Sequence, residues 1–258
     1  MRIQIRRATG HGDVLSLTAA IPGLQKKYPG AKVSFMVSEG YEQLILRDPR
    51  MEEIVLWGNS FDSEEGDLIF RVSHTAYWDR HTWMCFAQCD ALDVERNFPK
   101  LYLLPEEIDA AQGCDIAMAN RYPHGGRSYK HMAGLAALLI GKGYHVKQID
   151  TCPLFCRGVD NAPLTVREAA IEVAKARCLI TVDSVFLHVG AALEKPMVVI
   201  FNLKKRSGPG SQYVPNSWVA DWQWEPKRIV PMVEHLLGDG PAPDEDNTFD
   251  PAYKTSQS

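Results

Sequence analysis

Residues 1–37 read MRIQIRRATGHGDVLSLTAAIPGLQKKYPGAKVSFMV, and this stretch decides the fold class. A β-rich run, Arg2–Arg6, is followed by a loop with two glycines and then by apolar residues at helical spacing from about Asp13 to Tyr28. Pro29-Gly30 ends this helix, and a second apolar run, Lys32–Val37, predicts the next strand. A strand, a helix and a second strand joined by short loops are typical of parallel α/β proteins.

The rest of the chain continues this alternation, with a Pro-rich connection at Asn97–Pro105 between two halves. In the first half we predict a helix over Glu39–Arg47, strands over Glu53–Leu56 and Asp67–Val72, and a helix near Arg80–Leu92. In the second half we predict strands over Cys114–Ala119, His145–Ile149, Cys178–Val182 and Met197–Phe201, and helices over Ser128–Lys142, Leu164–Ala176 and Pro226–Leu237, with another starting at Ser184. We therefore expect two Rossmann-like domains, residues 1–104 and 105–238, whose parallel sheets face each other across a cleft. The polar, Pro-rich residues 239–258 predict a disordered tail.

Composition excludes several classes of protein. Apolar residues make up 45% of the chain and charged residues 23%, which indicates a globular protein. The net charge of −4 gives no sign of the basic face that duplex nucleic acid requires. No apolar run approaches the ~18–20 residues that span a bilayer, so we expect no transmembrane segment.

The cysteines and the N-terminal sequence favour a cytoplasmic protein. We find no secretory signal at the start, and six cysteines are too few for a disulfide scaffold in 258 residues. The C-x3-C spacings of Cys85/Cys89 and Cys152/Cys156 differ from those of structural zinc sites, so we expect ordinary thiols and no bound metal.

The loop after the first predicted strand is a candidate site, because ligands of parallel α/β sheets bind at the carboxyl ends of strands. Gly10 and Gly12 allow a tight turn, and the following helix start suits an anion. Asp13 has two interpretations: a helix cap, or a catalytic carboxylate that takes a proton from a hydroxyl. His11 is either a ligand contact or an exposed polar residue.

Residues 179–196, LITVDSVFLHVGAALEKP, form the second candidate site. An apolar strand ends in Asp183-Ser184, where the hydroxyl and adjacent backbone N–H groups can bind a diphosphate. His188 lies one helical turn later on the same face. The alternative is a capped helix with a packed core histidine.

Three cationic side chains also follow predicted strands. Arg127 comes after Gly125-Gly126, and Lys204 and Lys205 come after the last apolar strand. Each is placed to neutralise a phosphate, with a solvated surface position as the alternative.

Two of these stretches together resemble a known family. The opening, Gly12-Asp13-Val14-Leu15 with the later Lys26–Ala31 stretch, is similar to that of the family 9 glycosyltransferases, the ADP-heptose:lipopolysaccharide heptosyltransferases. The stretch Val182–Pro196 resembles that family's donor motif, an Asp-Thr-Gly followed by His-x-x-Ala-Ala. The resemblance covers about residues 1–237 and implies a GT-B-like fold.

The resemblance implies an inverting, metal-independent transfer of a sugar from a nucleotide-diphosphate donor such as ADP-heptose to an acceptor hydroxyl. Asp13 matches the family's general base, and the nucleotide sugar is a co-substrate rather than a cofactor. The expected donor contacts are Thr9, Gly10, His11, Gly12, Arg127, Asp183, Ser184, Val185, His188, Lys204 and Lys205.

The sequence also departs from the family pattern. Ser184-Val185 replaces Thr-Gly, and the Glu that meets the donor ribose has no counterpart after Ile149. The chain is shorter than usual for the family, which leaves a glycan, a lipid-linked sugar or a modified nucleobase open as acceptor. The alternatives to a transferase are a catalytically silent nucleotide-sugar-binding module and a nucleotide-sugar epimerase.

Overall fold

The fold is given by a computed structural model that describes residues 1–58, 67–72, 84–109, 113–120, 128–150, 156–161, 164–201 and 217–242. The chain divides into two compact units, one built mainly from Met1–Glu107 and the other mainly from the later residues. Each unit has its own parallel sheet accompanied by helices, which confirms the predicted α/β class. Of the predicted tail, residues 243–258 lie outside the described residues.

The first unit contains a four-stranded sheet of order β3-β2-β1-β4 in which all neighbours are parallel. Its strands are β1 (Arg2–Arg6), β2 (Lys32–Val37), β3 (Glu53–Leu56) and β4 (Leu68–Arg71). The helices up to residue 109 are α1 (His11–Leu17), α2 (Ile21–Lys27), α3 (Met84–Ala91) and α4 (Pro105–Asp109).

The predicted first helix is interrupted in the structure. Between α1 and α2, residues Thr18–Ala20 form a 3₁₀ turn. Pro22 lies in the first turn of α2 and has no N–H to donate to the preceding turn, so the α-helical ladder breaks there. Within this turn, the hydroxyl of Thr18 donates to the Leu15 carbonyl at 2.8 Å.

The helix predicted over Glu39–Arg47 is wrong. Only a 3₁₀ turn, Tyr41–Leu44, forms in this stretch. Gly40 before it has φ +87° and Arg47 after it has φ +70°, and neither value continues a right-handed helix.

The second unit contains a six-stranded parallel sheet of order β10-β9-β8-β5-β6-β7. Its strands are β5 (Ile116–Ala119), β6 (Val146–Gln148), β7 (Asp160–Asn161), β8 (Cys178–Val182), β9 (Met197–Phe201) and β10 (Ser217–Asp221). Its helices are α5 (Met132–Gly141), α6 (Val166–Lys175), α7 (Val185–Ala192) and α8 (Pro226–Leu237). We did not predict β7, β10 or the short α4.

The core of the second unit lies around β8 and β9, whose residues are all buried. Continuous apolar runs are typical of parallel strands covered on both faces. Gly190 of α7 lies close to this sheet, and a Cβ there would come within 2.8 Å of Leu179 and 2.9 Å of Met197. The small residues of α7 therefore allow it to pack directly on the two central strands.

Both ends of α6 are fixed by side chains. The predicted capping box is present: Thr165 Oγ1 accepts from the Glu168 N–H at 3.2 Å, and Glu168 accepts from the Thr165 N–H at 2.7 Å. At the other end, Lys195 donates to the carbonyls of Ala174 at 2.8 Å and Ala176 at 2.7 Å. Burial lowers the pKa of Lys195. The residues before β9 are thereby tied to the end of α6.

Among the helices of the described ranges, none has the length and apolar character that crossing a membrane requires.

Candidate functional site

Asp13 lies in the first turn of α1 but does not cap it. The helix begins at His11, its N-cap is Gly10, and no side chain hydrogen-bonds the cap. The cap interpretation is therefore wrong. Asp13 Oδ2 instead forms an ion pair with Arg7 Nη2 at 2.8 Å, and the exposed fractions of the two side chains are only 16% and 8%.

Arg7 is held in one orientation by three separate contacts. Besides the ion pair with Asp13, its Nε donates to the Thr9 carbonyl at 3.0 Å and its Nη1 to the Val72 carbonyl at 3.2 Å. Because these bonds use different N–H groups of a planar guanidinium, they fix its rotation as well as its position. The carboxylate of Asp13 therefore faces a rigid partner.

The backbone around Asp13 is also adapted to its side chain. Gly10 has φ +92°, and a Cβ at this position would collide with the Asp13 carboxylate. From α3, the fully buried Gln88 donates from Nε2 to the Asp13 carbonyl at 3.1 Å. Within the described ranges, the second carboxylate oxygen of Asp13, Oδ1, has no hydrogen bond. One oxygen is therefore held, and the other has capacity to accept.

His11 contacts the 3₁₀ turn rather than the Asp13 carboxylate. Its Nε2 is 3.0 Å from the Gly40 carbonyl oxygen, and its ring packs on Tyr41 with centroids 4.5 Å apart. Burial lowers its pKa. These contacts give His11 a packing role, and Gly12 follows it in the first turn of α1.

The junction between β8 and α7 brings together the candidate residues Asp183, Ser184, Val185 and His188. Ser184 is buried, and its Oγ accepts from the Phe186 N–H at 3.3 Å and lies 3.2 Å from Thr181 Oγ1. Its hydroxyl therefore caps α7. His188 is buried one turn later, while Asp183 is partly exposed.

A buried polar network that we did not predict joins the carboxyl ends of β5 and β6. Asp150 accepts from the Asn120 N–H and from Gln148 Nε2, the latter at 2.9 Å. The Asn120 side chain in turn bonds the Tyr129 backbone at 2.7 Å and 3.1 Å. Asp150 thus has a structural role here. The predicted phosphate contacts Arg127, Lys204 and Lys205 lie outside the described residues.

A basic groove lies at the carboxyl edge of the first sheet, beside the Asp13 loop. Its cavity measures about 260 Å³ and shares Arg7 and Thr9 with the surroundings of Asp13. The described lining residues are Arg6, Arg7, Ala8, Thr9, Trp57, Arg71 and Val72. No carboxylate is among them. We did not predict this groove.

The described cysteines are free thiols: Cys85, Cys89, Cys114, Cys156 and Cys178. Burial raises the pKa of Cys85, Cys89, Cys114 and Cys178, which keeps them protonated and poorly reactive. Within the described part of the chain, no group of three or more His, Cys, Asp or Glu side chains could hold a metal ion. Cys152 lies outside the described residues.

Comparison with known proteins shows a similarity in fold. No protein-family model matches the chain, and no curated protein matches it. Among solved structures, the chain is similar to the ADP-heptose lps heptosyltransferase II of E. coli, with a TM-score of 0.71 over 92% of this chain and 98% of that one. It is also similar to a family 9 glycosyl transferase from Veillonella parvula DSM 2008, with a TM-score of 0.74 over 93% of this chain and 97% of that one. The fold is that of the heptosyltransferases.

At 18% and 12% identity these likenesses concern the fold alone, and at that level they confirm the resemblance to family 9. A third heptosyltransferase-fold structure is TibC from enterotoxigenic E. coli H10407, described as an iron-containing dodecameric glycosyltransferase. Its TM-score is 0.68 at 17% identity, over 84% of this chain and 61% of that one.

Proposed function

We propose that the protein is a glycosyltransferase that moves a sugar from a nucleoside diphosphate donor of the ADP-heptose type to an acceptor hydroxyl. The observation that carries this proposal is the Asp13 carboxylate, which has one oxygen held by Arg7 at 2.8 Å and is 16% exposed. It follows the first strand of a chain with the heptosyltransferase fold.

In the proposed reaction, Asp13 takes the proton of the acceptor hydroxyl through Oδ1. The acceptor oxygen forms a bond to the anomeric carbon as the bond from that carbon to the diphosphate oxygen breaks. The nucleoside diphosphate leaves with the bonding electrons from the face opposite the attack, so the anomeric configuration inverts. We propose that this step needs no metal. Arg7 is a positioning residue, because it acts through the orientation of Asp13.

We assign donor binding to the β8–α7 junction, with Asp183, Ser184, Val185 and His188. The partly exposed carboxylate of Asp183 and the helix start support this assignment, as does the fold shared with an ADP-heptose lps heptosyltransferase of E. coli. Donor contacts by Arg127, Lys204 and Lys205, and by the loop of Thr9 to Gly12, belong to the same proposal.

The free thiols are in keeping with a cytoplasmic location.

Asp13→Asn in the full chain tests the proposed base. We expect transfer to fall about 100- to 10,000-fold, because Asn cannot accept the proton, while the Kd for ADP-heptose measured by calorimetry stays unchanged. Transfer is followed as release of ADP with a panel of acceptors, and NMR of the product gives its anomeric configuration. Undiminished transfer would show that Asp13 is not the base.

Asp48→Asn is the matched control. Asp48 forms a similarly buried ion pair in the same unit, with Arg50 at 2.5 Å, but lies outside the Asp13 loop. We expect its loss to lower stability without a specific effect on transfer. Transfer should also survive EDTA, and a loss that added Fe²⁺ or Mg²⁺ restores would contradict metal independence.

Two outcomes would replace the proposal. Tight donor binding with no transfer or hydrolysis across all acceptors would favour a silent nucleotide-sugar-binding module. Conversion of the donor sugar to its epimer without an acceptor would favour an epimerase.

A further inference from the structure

Gln88 is a polar residue on the buried face of α3. The buried residues of this helix are Cys85, Gln88 and Cys89, and Gln88 is fully buried. The two cysteines are free thiols, which pack as small apolar side chains. Gln88 Oε1 has no hydrogen-bond partner among the described residues, which costs stability. A methionine or a leucine would fill this space without that cost, so packing alone does not explain the amide.

The nitrogen of the same amide bonds the peptide unit that joins Asp13 to Val14. Gln88 Nε2 donates to the Asp13 carbonyl at 3.1 Å, across 75 positions of sequence. The N–H of this peptide unit, which belongs to Val14, donates to the Gly10 carbonyl at 2.9 Å. Because a peptide unit is planar, hydrogen bonds at its carbonyl and at its N–H together fix its orientation.

The start of α1 needs such a contact because the helix has no side-chain cap of its own. α1 has only seven residues, His11–Leu17, and its N-cap is Gly10, with no side chain hydrogen-bonded to the cap. Short helices fray at uncapped ends, and glycine is the residue with the most backbone freedom. The main chain at Asp13 is therefore held in part by its hydrogen bond to α3.

Asp13 is thus fixed at two points by two different elements. Arg7, which follows β1, holds its Oδ2 at 2.8 Å, and Gln88 of α3 holds its main-chain carbonyl. With the side chain and the main chain both held, the second carboxylate oxygen, Oδ1, has a defined position at the start of α1.

We infer that Gln88 is a positioning residue for sugar transfer, which acts through the main chain of Asp13. Because Gln88 is fully buried, it has no access to a substrate. Its effect is on where Oδ1 lies relative to the acceptor hydroxyl. The inference rests on the proposed function, in which Asp13 takes the proton. A displacement of about 1 Å at a reacting group can lower a rate about 100-fold, even when the altered residue is distant from the reacting atoms.

Gln88→Met in the full chain tests the inference. The variant loses the bond to Asp13 and also the buried oxygen without a partner, so the two effects on stability oppose each other and we expect it to melt close to the natural chain. We expect kcat for transfer from ADP-heptose to fall about 10- to 100-fold, with the Kd for ADP-heptose measured by calorimetry unchanged. Amide hydrogen exchange of Val14 should become faster, because its peptide unit is then held at one end only.

Cys85→Ala is the matched control. Cys85 is buried one turn earlier on the same face of α3, and among the described residues its thiol has no hydrogen bond to Asp13. Loss of the sulfur should lower the melting temperature and leave kcat and the exchange of Val14 unchanged. An equal loss of kcat in Cys85→Ala and Gln88→Met would assign the effect to the packing of α3 and overturn the inference.

A double variant measures whether Gln88 acts through Asp13. Adding Gln88→Met to Asp13→Asn should lower the remaining transfer less than about twofold, because the carboxylate that Gln88 positions is already absent. A loss in the double variant as large as that of Gln88→Met alone would show that Gln88 acts by another route, and the inference would be wrong.

The single variants separate this inference from the proposed function. If Asp13→Asn abolishes transfer and Gln88→Met lowers only the melting temperature, Gln88 serves the fold alone, the inference is wrong and the function stands. Transfer that survives Asp13→Asn would overturn the function and the inference together. Gln88→Leu repeats the comparison with another apolar side chain, so that a folding defect specific to methionine is recognised.

Discussion

The β1–α1 and β8–α7 junctions have the same local topology but differ in how their polar side chains are used. Both join the carboxyl end of a central parallel strand to a helix through a short loop. The first places a glycine with φ +92° at the N-cap and uses Arg7 to hold the Asp13 carboxylate. The second places Ser184 at the N-cap, satisfied by the helix it begins. Ser184 Oγ accepts a hydrogen bond from the helix that it caps, whereas Asp13 is held by Arg7 through Oδ2 alone and keeps Oδ1 as capacity for another partner.

The largest effect on stability is expected from breaking the ion pair of the first junction. Arg7→Met leaves the Asp13 carboxylate without a partner in a largely buried position, so we expect the free energy of unfolding to fall by about 3–5 kcal/mol. Denaturant unfolding measures this change. Arg177→Met is the control, because the Arg177–Asp115 pair is half-exposed and should contribute less than about 1 kcal/mol. Equal losses of unfolding free energy in the two variants would mean that the Arg7–Asp13 pair contributes no more to stability than the half-exposed pair.

Gly10→Ala should have the next largest effect. The position combines a left-handed backbone with a collision between the new Cβ and the Asp13 carboxylate, so we expect about 1–3 kcal/mol of destabilisation together with loss of transfer. Gly143→Ala isolates the backbone contribution, because Gly143 has φ +93° and an added Cβ there would meet nothing within 4 Å. Transfer that survives Gly10→Ala would show that the position of Asp13 is not critical.

Ser184→Ala tests the second junction. Loss of the cap of α7 should lower the free energy of unfolding by about 1 kcal/mol. Thr165→Ala removes the cap of α6 at similar cost, and only Ser184→Ala should also raise the Kd for ADP-heptose. Unchanged donor binding in both variants would limit Ser184 to its structural role.

The smallest expected effect is a pH dependence from His11. Its pKa in the folded state lies below the ordinary value of 6.5 because of burial, partly offset by the Gly40 carbonyl and by Glu42. As the pH falls below about 6.5, the unfolded chain therefore takes up the proton first and stability declines. The loss of unfolding free energy between pH 7.5 and 5.5 should be smaller in His11→Gln than in the natural chain. A parallel decline in both proteins would assign the effect to other groups.

Patterns local in sequence predicted the regular elements well. The bounds of β1, β2, β3, β8, β9 and α8 agree with the prediction to the residue, because each is a distinct apolar or amphipathic run. The 3₁₀ turn at Tyr41–Leu44 was mistaken for a helix, since the pattern does not report the positive φ of Gly40. The edge strand β10 was missed because only two of its five residues, Val219 and Ala220, are buried.

The candidate site was predictable only in part. Asp13 stood out beside two glycines, but the orientation of its partner Arg7 depends in part on the Val72 carbonyl, which lies 65 positions from Arg7 in the sequence. The pairing of Arg6 with Arg71 likewise depends on the strand order of the sheet. One local pattern could have pointed to Arg6: in the RIQIRR run, Gln4 and Arg6 alternate with buried isoleucines and so lie on the same face of β1.

Lys195 carries a practical consequence for protein engineering. It lies within the stretch that resembles a donor motif, yet its ammonium group closes the end of α6 by bonding two carbonyls. A chimera that imports residues 182–196 from another enzyme must therefore import the matching end of α6 as well. Otherwise a change in activity caused by the broken end of α6 could not be told apart from a change in sugar specificity.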